Sequence, residues 1–246
     1  MNFDGKVVVL TGGSRGMGKK MAEAYAQRGA DVVIASRKLD NCVTVADAIR
    51  SHHGVRTLAV ECNVSNWNSC DELINTVYAE FGRIDVLVNN AGLSPLYGSL
   101  DQVGEDLFDK IIGVNLKGPF RLSALTGTRM ADDGGGVILN ISSIEAIRPS
   151  PDSLPYAAAK AGLNTLTEGM AKAFGPHVRV NAIQCGPFLT DIAAAWDPDL
   201  RDGFASTLAL RRCGHPNEII GAAIYLTGDE SSFCTGSILR LDGGVP

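Results

Sequence analysis

Short apolar runs alternate with amphipathic stretches along the whole chain. Seven runs rich in valine and isoleucine lie at 7–10, 32–35, 57–60, 84–88, 137–141, 178–183 and 238–241. Near-continuous apolar strands separated by helical patterns are typical of a parallel sheet that is buried on both faces. The pattern therefore predicts an α/β fold: a single doubly wound domain, spanning 1–246, with a seven-stranded parallel sheet flanked by helices on both faces.

Helical periodicity fills the intervals between these runs. It predicts helices at about 16–28, 40–53, 66–81, 101–125, 155–174 and 216–227. Ser65 can cap the third helix, and Gly29 and Gly82 lie where C-terminal stops belong. The stretch from about 188 to 215 breaks the rhythm. Because it combines aromatic residues with turn signals, we expect a mobile substrate lid there.

Composition and charge argue against several classes of partner. The net charge is −5 and there is no basic run, so we expect no nucleic acid. No apolar stretch is long enough to span a membrane, and no signal peptide is recognisable, so we expect no membrane and a cytoplasmic location. The six cysteines and four histidines lack ligand spacing, so we expect no metal and buried free thiols.

The first apolar run leads into a glycine-rich turn from which a helix begins. The turn reads Thr11-Gly12-Gly13-Ser14-Arg15-Gly16-Met17-Gly18. Glycines let the backbone turn sharply and approach a pyrophosphate, whose charge then meets the helix N-terminus. Three residues separate Gly12 from Gly16, unlike the G-x-G-x-x-G spacing, so a plain tight turn is the alternative. The position of the turn, directly after the first strand, favours phosphate binding.

The end of the second predicted strand bears on the choice of cofactor. A site for NAD usually places an acidic residue there, for the ribose 2′-hydroxyl, whereas this chain has Ser36 and Arg37. A hydroxyl and a guanidinium suit a 2′-phosphate, and Arg15 could close on the same group. Solvated surface charge is the alternative for both arginines. The sequence favours NADP(H), with NAD(H) as the alternative.

Tyr156 and Lys160 lie four positions apart in a predicted helix and so share one face. A nearby positive charge favours the phenolate, which predicts that Lys160 lowers the pKa of Tyr156. Ser143 follows the fifth strand, where its hydroxyl could polarise a substrate carbonyl. A surface helix pair is the alternative for tyrosine and lysine alone. Together with the glycine turn, the three residues predict a site for hydride transfer.

With these residues together, the sequence resembles the short-chain dehydrogenase/reductase family over essentially its full length. Within the family it resembles the single-domain branch, including 3-oxoacyl-acyl-carrier-protein reductases and related carbonyl reductases. Besides the glycine turn, the resemblance includes Asn89-Asn90-Ala91-Gly92, Asn115 in the long fourth helix, Ser143, Tyr156, Lys160, Gly186-Pro187-Phe188-Leu189-Thr190 and Leu241-Asp242-Gly243-Gly244.

The resemblance implies a Rossmann-type sheet and a role for each residue. Tyr156 would be the general acid or base, and Lys160 would lower its pKa and hydrogen-bond the nicotinamide ribose. Ser143, with Ser142 as its rival, would orient the substrate oxygen. Asn115 would hold a water that links Lys160 to solvent. The implied cofactor-binding residues are Gly12, Ser14, Arg15, Gly16, Met17, Gly18, Ser36, Arg37, Asn63, Val64, Asn90, Ala91, Gly92, Tyr156, Lys160, Gly186, Phe188 and Thr190.

Three positions depart from the pattern of the family. Asn63 stands where many members have an aspartate that accepts from the adenine amino group, so we expect weaker adenine binding. Cys185 replaces the usual proline before Gly186 and places a thiol near the nicotinamide. Glu145 occupies a position that is often small. If Glu145 faces the pocket it would favour polar or cationic substrates, and if it faces solvent it carries no meaning.

The substrate is described only as a class. The leading hypothesis is an NADPH-dependent carbonyl or 3-oxoacyl reductase, and the alternative is an alcohol, polyol or steroid dehydrogenase that works oxidatively. A non-catalytic NADP(H)-binding sensor would not need both Tyr156 and Lys160. The family implies a homotetramer or homodimer. We expect the substrate pocket to draw on Leu93, Ser94, Leu96, Tyr97, Glu145, Ile147, Ser153, Phe188, Trp196 and Phe204.

Overall fold

Seven parallel strands form one sheet in the computed structural model, which describes residues 1–190, 203 and 205–246. The strands are β1 (Val7–Thr11), β2 (Asp31–Ser36), β3 (Thr57–Glu61), β4 (Val86–Asn89), β5 (Gly136–Ser143), β6 (Val178–Cys185) and β7 (Ile238–Leu241). Their order across the sheet is β3-β2-β1-β4-β5-β6-β7. The predicted fold class is confirmed, and each predicted apolar run forms a strand.

Helices cover both faces of the sheet. They are α1 (Gly16–Ala26), α2 (Leu39–His53), α3 (Trp67–Phe81), α4 (Glu105–Ile112), α5 (Gly118–Asp132), α6 (Leu154–Phe174) and α7 (Ile220–Thr227). The predicted fourth helix at 101–125 is wrong as a single element. It begins later, at Glu105, and a π-helical segment, Gly113–Lys117, separates α4 from α5.

Two of the predicted helix ends also differ from the structure. Asn66, not Ser65, caps α3, because the Asn66 side chain accepts from the Ser69 amide at 3.0 Å. The Ser65 hydroxyl is engaged elsewhere, since it donates to Asn63 at 2.8 Å. Helix α1 ends at Ala26, so Gly29 lies in the turn beyond it. The stop at Gly82 is confirmed, with a left-handed backbone at φ 74°.

The core lies on both faces of the sheet because alternate residues of each strand point to opposite sides. In β1, Val8 and Leu10 contribute to the core on one face, and Val7 and Val9 contribute to the core on the other. All five β1 residues are buried. The carboxyl ends of the parallel strands therefore lie along one edge, where the glycine turn and Ser143 both emerge. No helix within the described ranges is long and apolar enough to cross a membrane.

Candidate active site

The glycine turn after β1 leaves no room for side chains at two positions. A Cβ on Gly18 would lie 2.2 Å from the Gly12 carbonyl oxygen, and one on Gly12 would lie 2.9 Å from the Asn90 amide nitrogen. Gly12 and Gly16 also have positive φ angles, 63° and 53°, that favour glycine. The turn leads directly into the N-terminus of α1 at Gly16. This arrangement presents main-chain N–H groups and a helix N-terminus, which suits a pyrophosphate.

Asn90 and Thr11 hold the β4 loop against the glycine turn. The Asn90 amide donates to the carbonyl oxygens of Thr11 at 3.0 Å and Gly12 at 3.1 Å. The Thr11 hydroxyl accepts from the main-chain N–H groups of Asn90 at 3.1 Å and Ala91 at 3.2 Å. The Asn90-Ala91-Gly92 segment, which the family resemblance implies as part of the cofactor site, thus borders the same cleft.

The segment after β6 closes the other side of this cleft. Thr190 reaches the glycine turn, since a Cβ on Gly16 would lie 3.7 Å from the Thr190 Cβ. A side chain at Gly186 would collide with Asp242, whose Cα would be 2.6 Å away. Phe188 is buried and pairs with Gly214. Residues 191–202 and 204, which include Trp196, Phe204 and about half of the predicted lid, lie outside the described residues.

Ser36 is the last residue of β2, and Arg37 follows it, beside this cleft. The Ser36 hydroxyl lies 3.0 Å from the Cys42 Sγ, and the Arg37 and Arg15 side chains are exposed. Two residues after β3, the Asn63 side-chain oxygen accepts from the Ser65 amide at 3.2 Å and from its hydroxyl at 2.8 Å. That oxygen therefore already holds the local turn, and weaker adenine recognition stays a prediction.

Lys160 is buried beside Tyr156. Its Nζ lies 5.6 Å from the centroid of the Tyr156 ring and donates to the Ile141 carbonyl oxygen at 2.7 Å. Burial lowers the pKa of Lys160 to about 8, because the charged ammonium loses its hydration.

The prediction that Lys160 lowers the pKa of Tyr156 is wrong in this structure. Burial raises the pKa of Tyr156 to about 12, and the hydrogen bond with Ser143 opposes that rise. Nearby Cys185 and Glu145 raise it further. Desolvation of the phenolate is the largest cause of this rise, and Lys160 is not among the groups that shift the pKa of Tyr156.

The two adjacent serines at the end of β5 have different partners. The Ser142 hydroxyl donates to the Asn164 side chain at 2.6 Å, in the buried contact between β5 and α6. The Ser143 hydroxyl faces Tyr156 and accepts from the Glu145 amide at 3.2 Å. The structure therefore brings Ser143, and not Ser142, to the tyrosine.

Asn115 lies in the π-helical segment and is fully buried. Its amide nitrogen donates to the carbonyl oxygens of Leu93 at 2.8 Å and Ile111 at 2.9 Å. Its side-chain oxygen accepts from the Leu93 amide at 3.2 Å. The side chain thus fixes the loop after β4, and the predicted water-holding role stays a prediction. No residue pattern in the sequence indicated the π-helical segment.

Glu145 adopts neither of the two orientations considered from the sequence. Its Oε2 folds back and accepts from the Ser150 amide at 2.7 Å and the Ser153 hydroxyl at 2.9 Å. Tyr97 contacts the same turn, since its hydroxyl donates to the Pro151 carbonyl oxygen at 2.8 Å. Three of the expected pocket residues, Tyr97, Glu145 and Ser153, therefore meet at the start of α6.

Comparison with known proteins agrees with this geometry. A family model described as Enoyl-(Acyl carrier protein) reductase matches residues 12–246. The chain is 34% identical to the 3-oxoacyl-acyl-carrier-protein reductase FabG of Thermotoga maritima, across 100% of this chain and 99% of that protein. A solved 7α-hydroxysteroid dehydrogenase complexed with NADH and 7-oxo glycochenodeoxycholic acid superposes with a TM-score of 0.94 at 32% identity, covering 99% and 96% of the two chains. The NADPH-dependent 3-quinuclidinone reductase of Rhodotorula rubra gives 0.93 at 28% identity, covering 99% and 92%.

The chain therefore belongs to the short-chain dehydrogenase/reductase family. It is an oxidoreductase that acts on carbonyl or alcohol groups of small molecules and uses a nicotinamide cofactor.

Proposed function

We propose that the protein is an NADP(H)-dependent reductase of a carbonyl substrate, with Tyr156 as the general acid. The observation that carries the proposal is the meeting of three side chains at one edge of the sheet. Ser143 faces the Tyr156 hydroxyl, and Lys160 lies beside the Tyr156 ring. The glycine turn that suits a pyrophosphate emerges from β1 at the same edge.

The protonated form of Tyr156 is the form that the reduction of a carbonyl requires. With a pKa of about 12, the phenol carries its proton at neutral pH and can donate it to a carbonyl oxygen. Ser143 accepts from the Glu145 amide, so its own O–H is available to donate to the same oxygen. A nicotinamide cofactor bound in this cleft would supply the hydride that reduces the carbonyl carbon. The positioned donors Tyr156 and Ser143 stabilise the negative charge that develops on the oxygen.

The cofactor preference is the second part of the proposal. The glycine turn, Asn90, Gly186 and Thr190 would hold the cofactor, and Lys160 would bind its ribose. Ser36 and Arg37, and not an acidic residue, stand at the end of β2, and the exposed Arg37 and Arg15 side chains can reach toward a 2′-phosphate. The solved relatives include one complex with NADH and one NADPH-dependent enzyme, so membership of the family leaves the choice open.

The substrate class and the assembly are the remaining parts of the proposal. We propose a carbonyl or 3-oxoacyl compound as substrate, in line with the reductase of Thermotoga maritima. A homotetramer or homodimer in the cytoplasm is the accompanying proposal. A panel of ketones, 3-oxoacyl thioesters and the corresponding alcohols, followed by NADPH absorbance, measures both the substrate class and the preferred direction.

The central test is Tyr156→Phe. This change removes the acidic proton and keeps the ring, so turnover should fall at least about 1,000-fold while NADPH still binds. NADPH binding is measured by the change in its fluorescence, which needs no turnover. Unchanged turnover in the variant contradicts the proposal. Loss of both turnover and binding would assign Tyr156 to cofactor binding alone.

A further inference from the structure

The turn that joins Ser143 to Tyr156 is held together by one carboxylate. Glu145 stands two residues after Ser143, and its Oε2 accepts from the Ser150 amide at 2.7 Å and the Ser153 hydroxyl at 2.9 Å. Its own main-chain amide donates to the Ser143 hydroxyl at 3.2 Å. A single residue thus contacts the serine at the end of β5 and the residue that precedes α6.

Ser153 shows what this contact does to the helix. It is the N-cap residue of α6 and is buried, but its hydroxyl makes no cap hydrogen bond to its own helix. It donates to Glu145 instead. Tyr156 is the third residue of α6, so the position of this first turn sets the position of the tyrosine. The Glu145 carboxylate also lies at the positive end of the helix dipole, which stabilises it there.

Tyr97 contacts the same turn from the loop after β4. Its hydroxyl accepts from the Leu154 amide at 2.9 Å and donates to the Pro151 carbonyl oxygen at 2.8 Å. Leu154 is the first residue of α6, and its N–H has no partner within the helix. Tyr97 satisfies that donor without adding a charge, whereas Glu145 adds a negative one.

We propose that Glu145 is a positioning residue, which fixes the first turn of α6 on the end of β5 and thereby holds Tyr156 at Ser143. The inference rests on the proposed function, because it assigns Tyr156 to proton transfer. Glu145 acts through two other residues and by its charge, and it does not touch the reacting atoms. This role explains why a carboxylate stands at this position without facing the substrate.

The charge of Glu145 also affects the acidity of Tyr156, and a contact that is only structural would not. Within the described residues, the groups that bond to Tyr156, act on it electrostatically or lie beside its ring are Ser143 from β5, Glu145 from the following turn, Lys160 from α6 and Cys185 from β6. Among them, Glu145 carries a negative charge that disfavours the phenolate. Removing the charge while keeping an acceptor should therefore make Tyr156 more acidic without moving it.

The experiment compares Glu145→Gln with Glu145→Ala. The amide oxygen of glutamine can still accept from Ser150 and Ser153, so kcat should stay within about threefold of the parent protein, whereas alanine should lower kcat about 10-fold. In the direction of alcohol oxidation, the rising limb of the pH profile should move down by about 0.5 unit in Glu145→Gln. Binding of NADPH, followed by fluorescence, should be unchanged in both variants.

Two control variants separate position from charge. Asp152→Asn removes an exposed charge from the same turn and should leave kcat and the pH profile unchanged. Tyr97→Phe removes the neutral contact, so it should lower kcat without moving the pH profile. Circular dichroism shows which variants remain folded. An equal pH shift in Asp152→Asn and Glu145→Gln overturns the proposal, as does unchanged kcat in Glu145→Ala.

The outcome for Tyr156→Phe separates this proposal from the proposed function. If that variant keeps its turnover, the proposed function fails first. If it loses turnover while the Glu145 variants behave like Asp152→Asn, only the positioning role is overturned.

Discussion

Lys160 donates a hydrogen bond from its Nζ to the Ile141 carbonyl oxygen at 2.7 Å, in a place where the lysine side chain is only 3% exposed. The ammonium gains this one charge-assisted contact from β5 but loses its hydration, and its pKa falls to about 8. The fold therefore carries a destabilising group beside Tyr156. A buried charge of this kind is more typical of a functional site than of a core.

The lost hydration of the Lys160 ammonium leads to a prediction for the stability of Lys160→Met. The lysine has a lower pKa in the folded state than its ordinary value of 10.5, so its charged form destabilises the fold. The penalty is full below pH 8 and disappears as pH rises toward 10.5. We expect the variant to gain on the order of 2 kcal/mol in unfolding free energy at pH 7 and clearly less at pH 10.

Urea unfolding of the protein without substrate, at both pH values, measures this difference. Lys172→Met is the matched control, because Lys172 is an exposed lysine on the same helix. A gain that is equal at pH 7 and pH 10 would show that better apolar packing, not the charge, accounts for it.

Alanine variants of the two adjacent serines of β5 should have different effects, one on activity and the other on stability. Ser143→Ala removes the hydroxyl that faces Tyr156, and we expect kcat to fall about 100-fold with little change in stability. Ser142→Ala breaks a buried hydrogen bond of 2.6 Å to Asn164, and we expect a loss of about 1–3 kcal/mol in unfolding free energy. Steady-state kinetics and urea unfolding on both variants make the comparison. The reverse distribution of the two effects would assign the functional role to Ser142.

Arg37 should decide between the two nicotinamide cofactors. Arg37→Asp places a carboxylate where a 2′-phosphate would lie, so it should repel NADPH and accept from the 2′-hydroxyl of NADH. We expect the ratio of kcat/KM for NADPH to that for NADH to fall at least about 100-fold and to invert. Arg37→Lys keeps the charge and serves as the control. An unchanged ratio in Arg37→Asp would remove the argument for NADP(H).

Much of the fold could be predicted from the sequence because its signals are local. The seven strands were recognisable because each is a short apolar run, and a strand buried on both faces needs no polar positions. Gly12 and Gly18 were recognisable because only glycine fits a turn that approaches other backbone so closely. Tyr156 and Lys160 were paired because four residues bring side chains to one face of a helix.

The properties that differed from expectation depend on contacts between distant segments. The interruption of the fourth helix involves Asn115, whose side chain bonds to Leu93 on another segment, and no local pattern reports such a contact. Asn66 caps α3 in place of Ser65 because the Ser65 hydroxyl is used by Asn63. Side chains that compete for the same donors cannot be ranked from their order in the chain.

The sequence alone determined the class of fold, the strands after which the candidate site residues stand and the identity of those residues, since periodicity and spacing encode these locally. Only the tertiary structure decided the acidity of Tyr156, the partner of Lys160 and the orientation of Glu145. The physical reason is that desolvation and hydrogen bonding depend on what surrounds a group in space. The pKa of Tyr156 lies above its ordinary value, where its spacing to Lys160 predicted a lower one, because burial disfavours the phenolate.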